Sequence, residues 1–379
     1  MIRIFETGDI HIGKKYDDYP AIKEKLIETR FHVLQKMIET AERDNSDFFV
    51  VTGDLFDNVR NIPQRDVEKI VHILSKFSER VLVLPGNHDY FNEDVKVWND
   101  FAKFMAKTEN NITVLNRFEP YAFDVRDEKV VFYPAYCQDK HSKKNNLSWI
   151  QDSNIDQGCI NVGVAHGAIE GVTPDKNQEY FLMSQNELNA IPVDAWLIGH
   201  THIPFPQIMT DLKEHNGYKI FNAGTHAQTD VHNNTAGYGF EIDIVHDGAT
   251  KTVTAKAVEC GEIRFYDLDI SVAPKQEDIL DTSVNNTTKD LQDDSIVRLN
   301  LAGAVSKDEY DNRNAIYDKY LNRFLFYKIE DSDLSEEITI EKIRDEFAET
   351  SFAAMFMEAL SEEPKEMAMA YELLKECKE

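Results

Sequence analysis

The chain is short of cysteine, of long apolar runs and of basic side chains, and each shortage closes off a class of answers. Its four cysteines, Cys137, Cys159, Cys260 and Cys377, fall at no paired spacing in 379 residues. A disulfide framework or a zinc finger is not expected. No apolar stretch approaches the ~20 residues that cross a bilayer. The first strand is expected to start almost at Met1, which leaves no room for a secretory signal. A soluble protein of the reducing cytoplasm is the expectation. No internal repeat is visible. Lysine and arginine number 41 against 68 aspartates and glutamates, a net charge of −27. Residues 260–379 hold 29 acidic and 14 basic side chains, net −15, which leaves −12 for residues 1–259. Nucleic-acid binders usually carry a basic footprint, so a polyanion would have to meet a local patch. Three are available: Lys14-Lys15, Arg60 with Arg65, and Lys140 with Lys143-Lys144 in the polar loop Gln138 to Asn146. Each by itself is more often a solvated face.

Five short motifs in the first 202 residues stand out: Gly8-Asp9-Ile10-His11, Gly53-Asp54-Leu55-Phe56-Asp57, Gly86-Asn87-His88-Asp89, Ala165-His166-Gly167 and Gly199-His200-Thr201-His202. All supply carboxylate, amide or imidazole ligands. Pooled, they offer protein ligands for two metal ions, the usual apparatus for displacement at phosphorus. Each follows a short apolar run: Ile2 to Phe5, Phe48 to Val51, Val81 to Leu84, Ile160 to Val164 and Ala195 to Ile198. Such runs ending at glycine or proline read as buried strands. The ligands would then gather beyond the C-terminal strand ends, where sites in α/β sheets lie. Helical spacing over Ala21 to Arg43 and Val67 to Phe77 alternates with these strands, which predicts a layered α/β domain. From Tyr218 on the pattern is strands without helices, at Tyr218–Phe221, Gly237–Val245 and Thr252–Val258, as a second sheet packed on the first would give.

The motif set resembles the calcineurin-type metallophosphoesterase superfamily over residues 1–260. The resemblance implies a two-sheet β-sandwich flanked by helices. The first motif, the Gly53-Asp54-Leu55-Phe56-Asp57 form of the second, and Phe221-Asn222-Ala223-Gly224-Thr225 are similar to SbcD and YhaO nucleases, relatives of the meiotic-recombination-eleven nuclease. Chemistry and the resemblance together suggest Asp54 as a bridge between two metals. Asp9, His11 and His202 would complete one site, and Asn87, His166 and His200 the other. The mixed nitrogen and oxygen set suits manganese, iron or zinc, and the resemblance implies manganese. His88 would protonate the leaving oxygen. The resemblance implies that the Asp57 carboxylate pairs with His88 and fixes its ring. Lys14, Lys15, Arg60, Tyr90 and His226 are candidate substrate contacts. For His226 a structural role is the more expected one, and Phe56 is expected in the core. His32, His72, His141, His215, His232 and His246 are read as structural or surface residues.

Beyond residue 260 the sequence predicts strands at Glu262–Ile270 and Ser295–Ala302, a turn-rich stretch from Pro274 to Asp294, a helix over Asp308 to Phe326, and a strand at Tyr327–Ile329. By resemblance, residues 261–332 form a small α+β cap that helps position DNA. Residues 333–379 are read as two or three Met- and Phe-rich helices broken near Ser361 to Lys365, which the resemblance assigns to docking an SbcC-type coiled-coil ATPase. It also implies a possible homodimer through Val67–Phe77 and Asn92–Met105. The expected activity is a two-metal DNA nuclease, exo- or endonucleolytic, of DNA repair. A phosphatase or small-nucleotide phosphodiesterase on the same fold is the alternative favoured by the charge. A non-catalytic clamp is the weakest reading.

Overall fold

A computed structural model describes residues 1–108, 111–173, 175, 177–207, 214–248, 250–273, 278–348, 350–361 and 363–376. Cys377 lies outside them. The chain divides into two compact units, residues 1–265 and 266–379.

In the first unit β1 (Ile2–Thr7), α1 (Lys23–Arg43), β2 (Phe48–Val51), α2 (Gln64–Leu74), β3 (Arg80–Val83), α3 (Lys96–Met105) and β4 (Ile112–Val114) alternate. Next come β5 (Tyr121–Val125), β6 (Glu128–Ala135), α4 (Ser148–Gln151), β7 (Ile160–His166), α5 (Gln185–Ala190) and β8 (Ala195–Gly199). The unit closes with β9 (Glu214–Asn216), β10 (Ile220–Phe221), β11 (Tyr238–His246) and β12 (Lys251–Glu259). Two sheets result, ordered β4-β3-β2-β1-β11-β12-β9 and β10-β8-β7-β6-β5.

Period-two alternation sorts the side chains. Phe48 and Val50 of β2 join Ile4, Leu82, Phe132, Val162 and Leu197 in the core between the sheets. Phe49 and Val51 point the other way, into Leu34, Met37, Val71 and Phe101 of the helices over the first sheet. Val131, Tyr133 and Trp196 pack with Ile150 and Leu188 on the far face of the second. Both faces of the central strands are therefore covered, which is why they read as continuous apolar runs.

One topological expectation is corrected. The ligand-bearing strands do not share a sheet: β1, β2 and β3 lie in the first, β7 and β8 in the second. Nor do the late strands form a separate layer, since β11 pairs antiparallel with β1, Ile4 opposite Ile242. A strand buried on both faces carries no mark of the sheet it joins.

The second unit has β13 (Arg264–Val272) crossing into it, then α6 (Ile279–Thr288), β14 (Ser295–Val305), α7 (Lys307–Leu321) and β15 (Phe326–Glu336). The stretch expected to be turn-rich holds α6. Its sequence is poor in helix formers, and burial of Leu280 and Val284 with Leu299, Tyr317 and Leu321 supplies what propensity lacks. α7 begins at a serine N-cap, with Ser306 Oγ accepting from Glu309 N at 3.3 Å. Three helices follow: α8 (Ile340–Glu346), α9 (Phe352–Ala359) and α10 (Pro364–Glu376). They share a small core of Ile343, Phe347, Met357, Met367 and Tyr371. Phe352, Met355, Phe356, Met369 and Leu373 remain exposed. Among the described residues no helix is long and apolar enough to cross a membrane.

Candidate metal centre

The five motifs converge at the C-terminal ends of β1, β2, β3, β7 and β8. The turn after β1 lies against the turn after β2: Asp9 N donates to Gly53 O at 3.0 Å, His11 N to Asp54 O at 2.9 Å and Ile12 N to Leu55 O at 3.0 Å. His200 N, after β8, donates to the Asp9 carboxylate at 2.9 Å. His88 N, after β3, donates to Asp54 Oδ1 at 2.8 Å. The chain bends hard to do this. Asp9, His11, Asp54, His200 and His202 all have positive φ, a conformation costly for residues with a Cβ and concentrated at functional sites. Gly53, at φ +107°, leaves room where a Cβ would come within 2.1 Å of His166 Nδ1.

Three ligand groups form within 4.8 Å: Asp9 with His11 and His202, Asp54 with His166 and His200, and His11 with Asp57 and His88. The Nε2 atoms of His11 and His202 stand 2.9 Å apart. Asn87 Oδ1 is 2.9 Å from both His166 Nε2 and His200 Nδ1. Asp54 Oδ2 reaches towards both sides, 3.8 Å from His11 Nε2 and 3.4 Å from His166 Nε2.

Donor chemistry tests whether these residues suit metal ions. His166 Nδ1 donates to Thr52 O at 2.9 Å, because a carbonyl can only accept. Its Nε2 is therefore the atom that faces Asn87 Oδ1 and Asp54 Oδ2. Electron-rich atoms converging in this way call for positive charge between them, a proton on Nε2 or a metal ion in its place. The spacings also suit one, since ligands about 2.1 Å from an ion stand roughly 3 Å apart. The residues fit a two-metal site.

Electrostatics divide the set: Asp9 and His166 hold protons that a bound ion would displace, while the other three histidines are already free of theirs. Burial, with Asp54 adding to it, pushes Asp9 up to about 8 against the opposing His166. Burial and the neighbouring His166 bring His200 down to about 3. Burial and His11 hold His202 well below its usual range, and burial lowers His11 too. Those imidazoles are neutral, the form that binds metal. Burial opposes charge on His166, but Asp54 and Asp9 outweigh it and raise the ring to about 9. Asp54 is held ionised: burial opposes charge there, and His166, His11 and His88 overcome it.

The expected Asp57–His88 pair takes a different form. His88 Nδ1 donates to the backbone oxygen of Asp57 at 2.9 Å. The Asp57 carboxylate turns instead to His11 Nδ1, 3.5 Å away. The carbonyl makes the hydrogen bond to His88, while the carboxylate stays within 4.8 Å of ring nitrogens of both His11 and His88. Among the described residues no hydrogen-bond partner meets His88 Nε2.

His226 is also corrected. It is fully buried, and its Nε2 donates to Arg30 O at 3.1 Å, which withdraws it from substrate. Phe56 is buried against Trp98 and Phe101, as expected. Arg60 and half-buried Tyr90 line an open groove of about 350 Å³ with Asn92, Asp94, Val95 and Lys96. Lys14 sits 5.9 Å from the Tyr16 ring, and Lys15 is exposed.

Sequence reasoning misses three contributors. The Thr52 carbonyl orients His166 and has no side-chain signal. Tyr180, ring to ring with His200 at 5.0 Å, lies in a loop with no pattern to read. Arg30 does leave a signal: it interrupts the apolar stripe of α1 between Leu26 and Leu34.

A model of the calcineurin-like phosphoesterase family matches residues 2–204, more than half of the chain. The chain belongs to that family. The phosphoesterase is thereby a metal-dependent hydrolase with the α/β two-sheet architecture described above. It is similar to the SbcD component of the SbcCD nuclease of Staphylococcus saprophyticus, 23% identical over 265 residues, or 60% of this chain and 68% of the relative. Among solved structures it is similar to the calcineurin-like phosphoesterase YfkN of Bacillus subtilis, with a TM-score of 0.39, 13% identity, and coverage of 68% of this chain and 89% of that one. A dimetal phosphatase from Danio rerio has a TM-score of 0.37, 11% identity, and coverage of 68% and 99%.

Proposed function

We propose that this phosphoesterase is a two-metal DNA nuclease of DNA repair, working in the cytoplasm with an SbcC-type coiled-coil ATPase. One observation carries the two-metal part: Asp54 Oδ2 stands between two histidine-rich ligand groups, within 3.8 Å of His11 Nε2 and 3.4 Å of His166 Nε2. A carboxylate there can hold two cations together. Asp9, His11 and His202 would complete one site, and Asn87, His166 and His200 the other. Manganese is the proposed ion, with iron and zinc compatible with the same ligands.

Bound there, two divalent ions would supply Lewis acidity and an activated water. The remaining chemistry belongs to the side chains. His88 has its Nδ1 hydrogen committed to the Asp57 carbonyl, so Nε2 is the atom that can carry a proton to the leaving oxygen. Asp57 backs His11 through its carboxylate. Lys14, Lys15 and Arg60 would meet phosphates, and Tyr90 a base.

The nucleic-acid part is supported by similarity to the SbcD component of the SbcCD nuclease. Docking of the ATPase is supported by the apolar side chains left outside on α9 and α10, where Phe352 is 79% and Met369 69% exposed. Residues 261–332 would act as a cap that positions DNA, and α2 with α3 would form a homodimer contact. The net charge of −27 favours a second reading, a phosphatase or small-nucleotide phosphodiesterase.

Hydrolysis by the purified chain with manganese separates the two. Labelled duplex and single-stranded DNA would be compared with bis-p-nitrophenyl phosphate and a monoester. The nuclease reading expects DNA cleavage. Turnover of small esters alone would replace it with the second reading.

A further inference from the structure

Arg30 is a buried cation that the proposed mechanism does not use. It lies on α1, 2% exposed, on the face that otherwise carries Leu26 and Leu34 into the core. A guanidinium withdrawn from water needs compensation, and no carboxylate of the described residues pairs with it. All its bonds run to one short segment. Nε and Nη2 donate to Ile10 O at 2.8 and 2.6 Å, and Nη2 also lies 3.4 Å from Asp9 O. Nη1 donates to the Tyr16 hydroxyl at 2.9 Å.

Ile10 sits between Asp9 and His11, two of the three side chains of one ligand group. Both neighbours have positive φ, 50° and 46°, so the turn is one that residues with a Cβ adopt only under constraint. The constraint acts on two edges. The N–H edge is held by Gly53 O and Asp54 O. The carbonyl edge is held by Arg30, with Thr225 Oγ1 adding a bond to Asp9 O at 3.0 Å. An apolar residue in place of Arg30 would leave the Ile10 carbonyl buried without a donor, and a lysine could not reproduce the fork of bonds.

We infer that Arg30 is a positioning residue for the metal site formed by Asp9, His11 and His202, holding the Asp9–His11 turn in its ligating form through the Ile10 carbonyl. The inference rests on the two-metal reading of the site. Outer-shell partners of this kind are worth about 10–100-fold in metal affinity.

Titration calorimetry of the metal-free full chain with manganese tests it, on Arg30→Lys and Arg30→Met beside the parent, with the melting temperature of each metal-free protein recorded. The parent should bind two ions. In the variants one ion should bind about 10–100-fold more weakly and the other should be unchanged. In a His202→Ala background Arg30→Lys should add little, because both changes act on one site. Unchanged affinities in folded variants would overturn the role of Arg30 alone. So would an equal loss at both sites, or failure of even Arg30→Lys to fold, since either makes the residue a general structural one. A parent that binds fewer than two ions would overturn the two-metal reading, and this inference with it.

Discussion

At the scale of the residue, Asp57 shows how identity and role separate. Its presence three positions after Asp54 was legible, whereas the group it offers to His88 was not, because the choice between carbonyl and carboxylate is made by the turn. Asp57→Asn should therefore leave His88 oriented. Its cost should fall on metal affinity through His11, read as a higher manganese requirement with little change in kcat. A variant that lost kcat at saturating manganese would contradict this. His88→Asn should do the reverse, binding manganese normally while turnover falls by about 100-fold or more. Calorimetry beside a DNA cleavage assay separates the two outcomes.

Glu6 is a second case, a carboxylate fully buried under the site. Burial raises it to about 8, against hydrogen bonds from Ala223 N and Thr52 Oγ1. Below about pH 4.5 folded and unfolded states are both protonated and the residue imposes no penalty. Between there and about pH 8 only the unfolded state ionises, so stability falls as pH rises, by up to about 1.4 kcal/mol per pH unit. Glu6→Gln should remove that slope. Melting temperatures from pH 5 to 8.5 should show the variant gaining on the parent, and parallel curves would mean that Glu6 does not titrate in this window.

At the scale of the element, each ligand sits where a strand stops, and the glycines beside the ligands let the ends meet. Gly199 ends β8, where a Cβ would fall 2.2 Å from Thr52 O and 2.8 Å from His166 Nδ1. Gly199→Ala should push Thr52 and His166 away from β8, with a loss of about 1–3 kcal/mol from overpacking and weaker manganese binding, both readable in one thermal melt with and without metal. The strands themselves were plain in the sequence because their apolar runs are continuous. α6 was hidden, since its helicity depends on packing with α7 rather than on its own residues. The extent of β15 was hidden too: its outer half, Asp331 to Glu336, is mostly polar, and its pairing with β14 leaves no apolar pattern to read.

At the scale of the whole molecule, buried carboxylates gather beside one another. Burial and Asp54 hold Asp89 at about 7, close to Asp9 and Asp54. Cations that fill the site should stabilise the fold by mass action, about 2.7 kcal/mol at a hundred times the dissociation constant. Chelation should lower the melting temperature, and manganese should restore it. The C-terminal helices predict a separable function. β15 ends where Glu337 N donates to Val305 O, so a chain stopped after Glu337 keeps the sheet whole. It should retain DNA cleavage and lose co-purification with the ATPase, and retained binding would place the docking surface elsewhere.

The amino-acid sequence by itself determined which candidate ligands are present, their order and their places at strand ends, because ligand-type side chains and strand termination both leave local marks. Family membership follows from the same marks. Which sheet each strand joins, which atom of Asp57 meets His88, the burial of His226 and the grip of Arg30 on Ile10 were decided only in three dimensions. Each of these depends on contacts between segments far apart in the chain, and a backbone carbonyl, the partner in several of them, is common to every residue type.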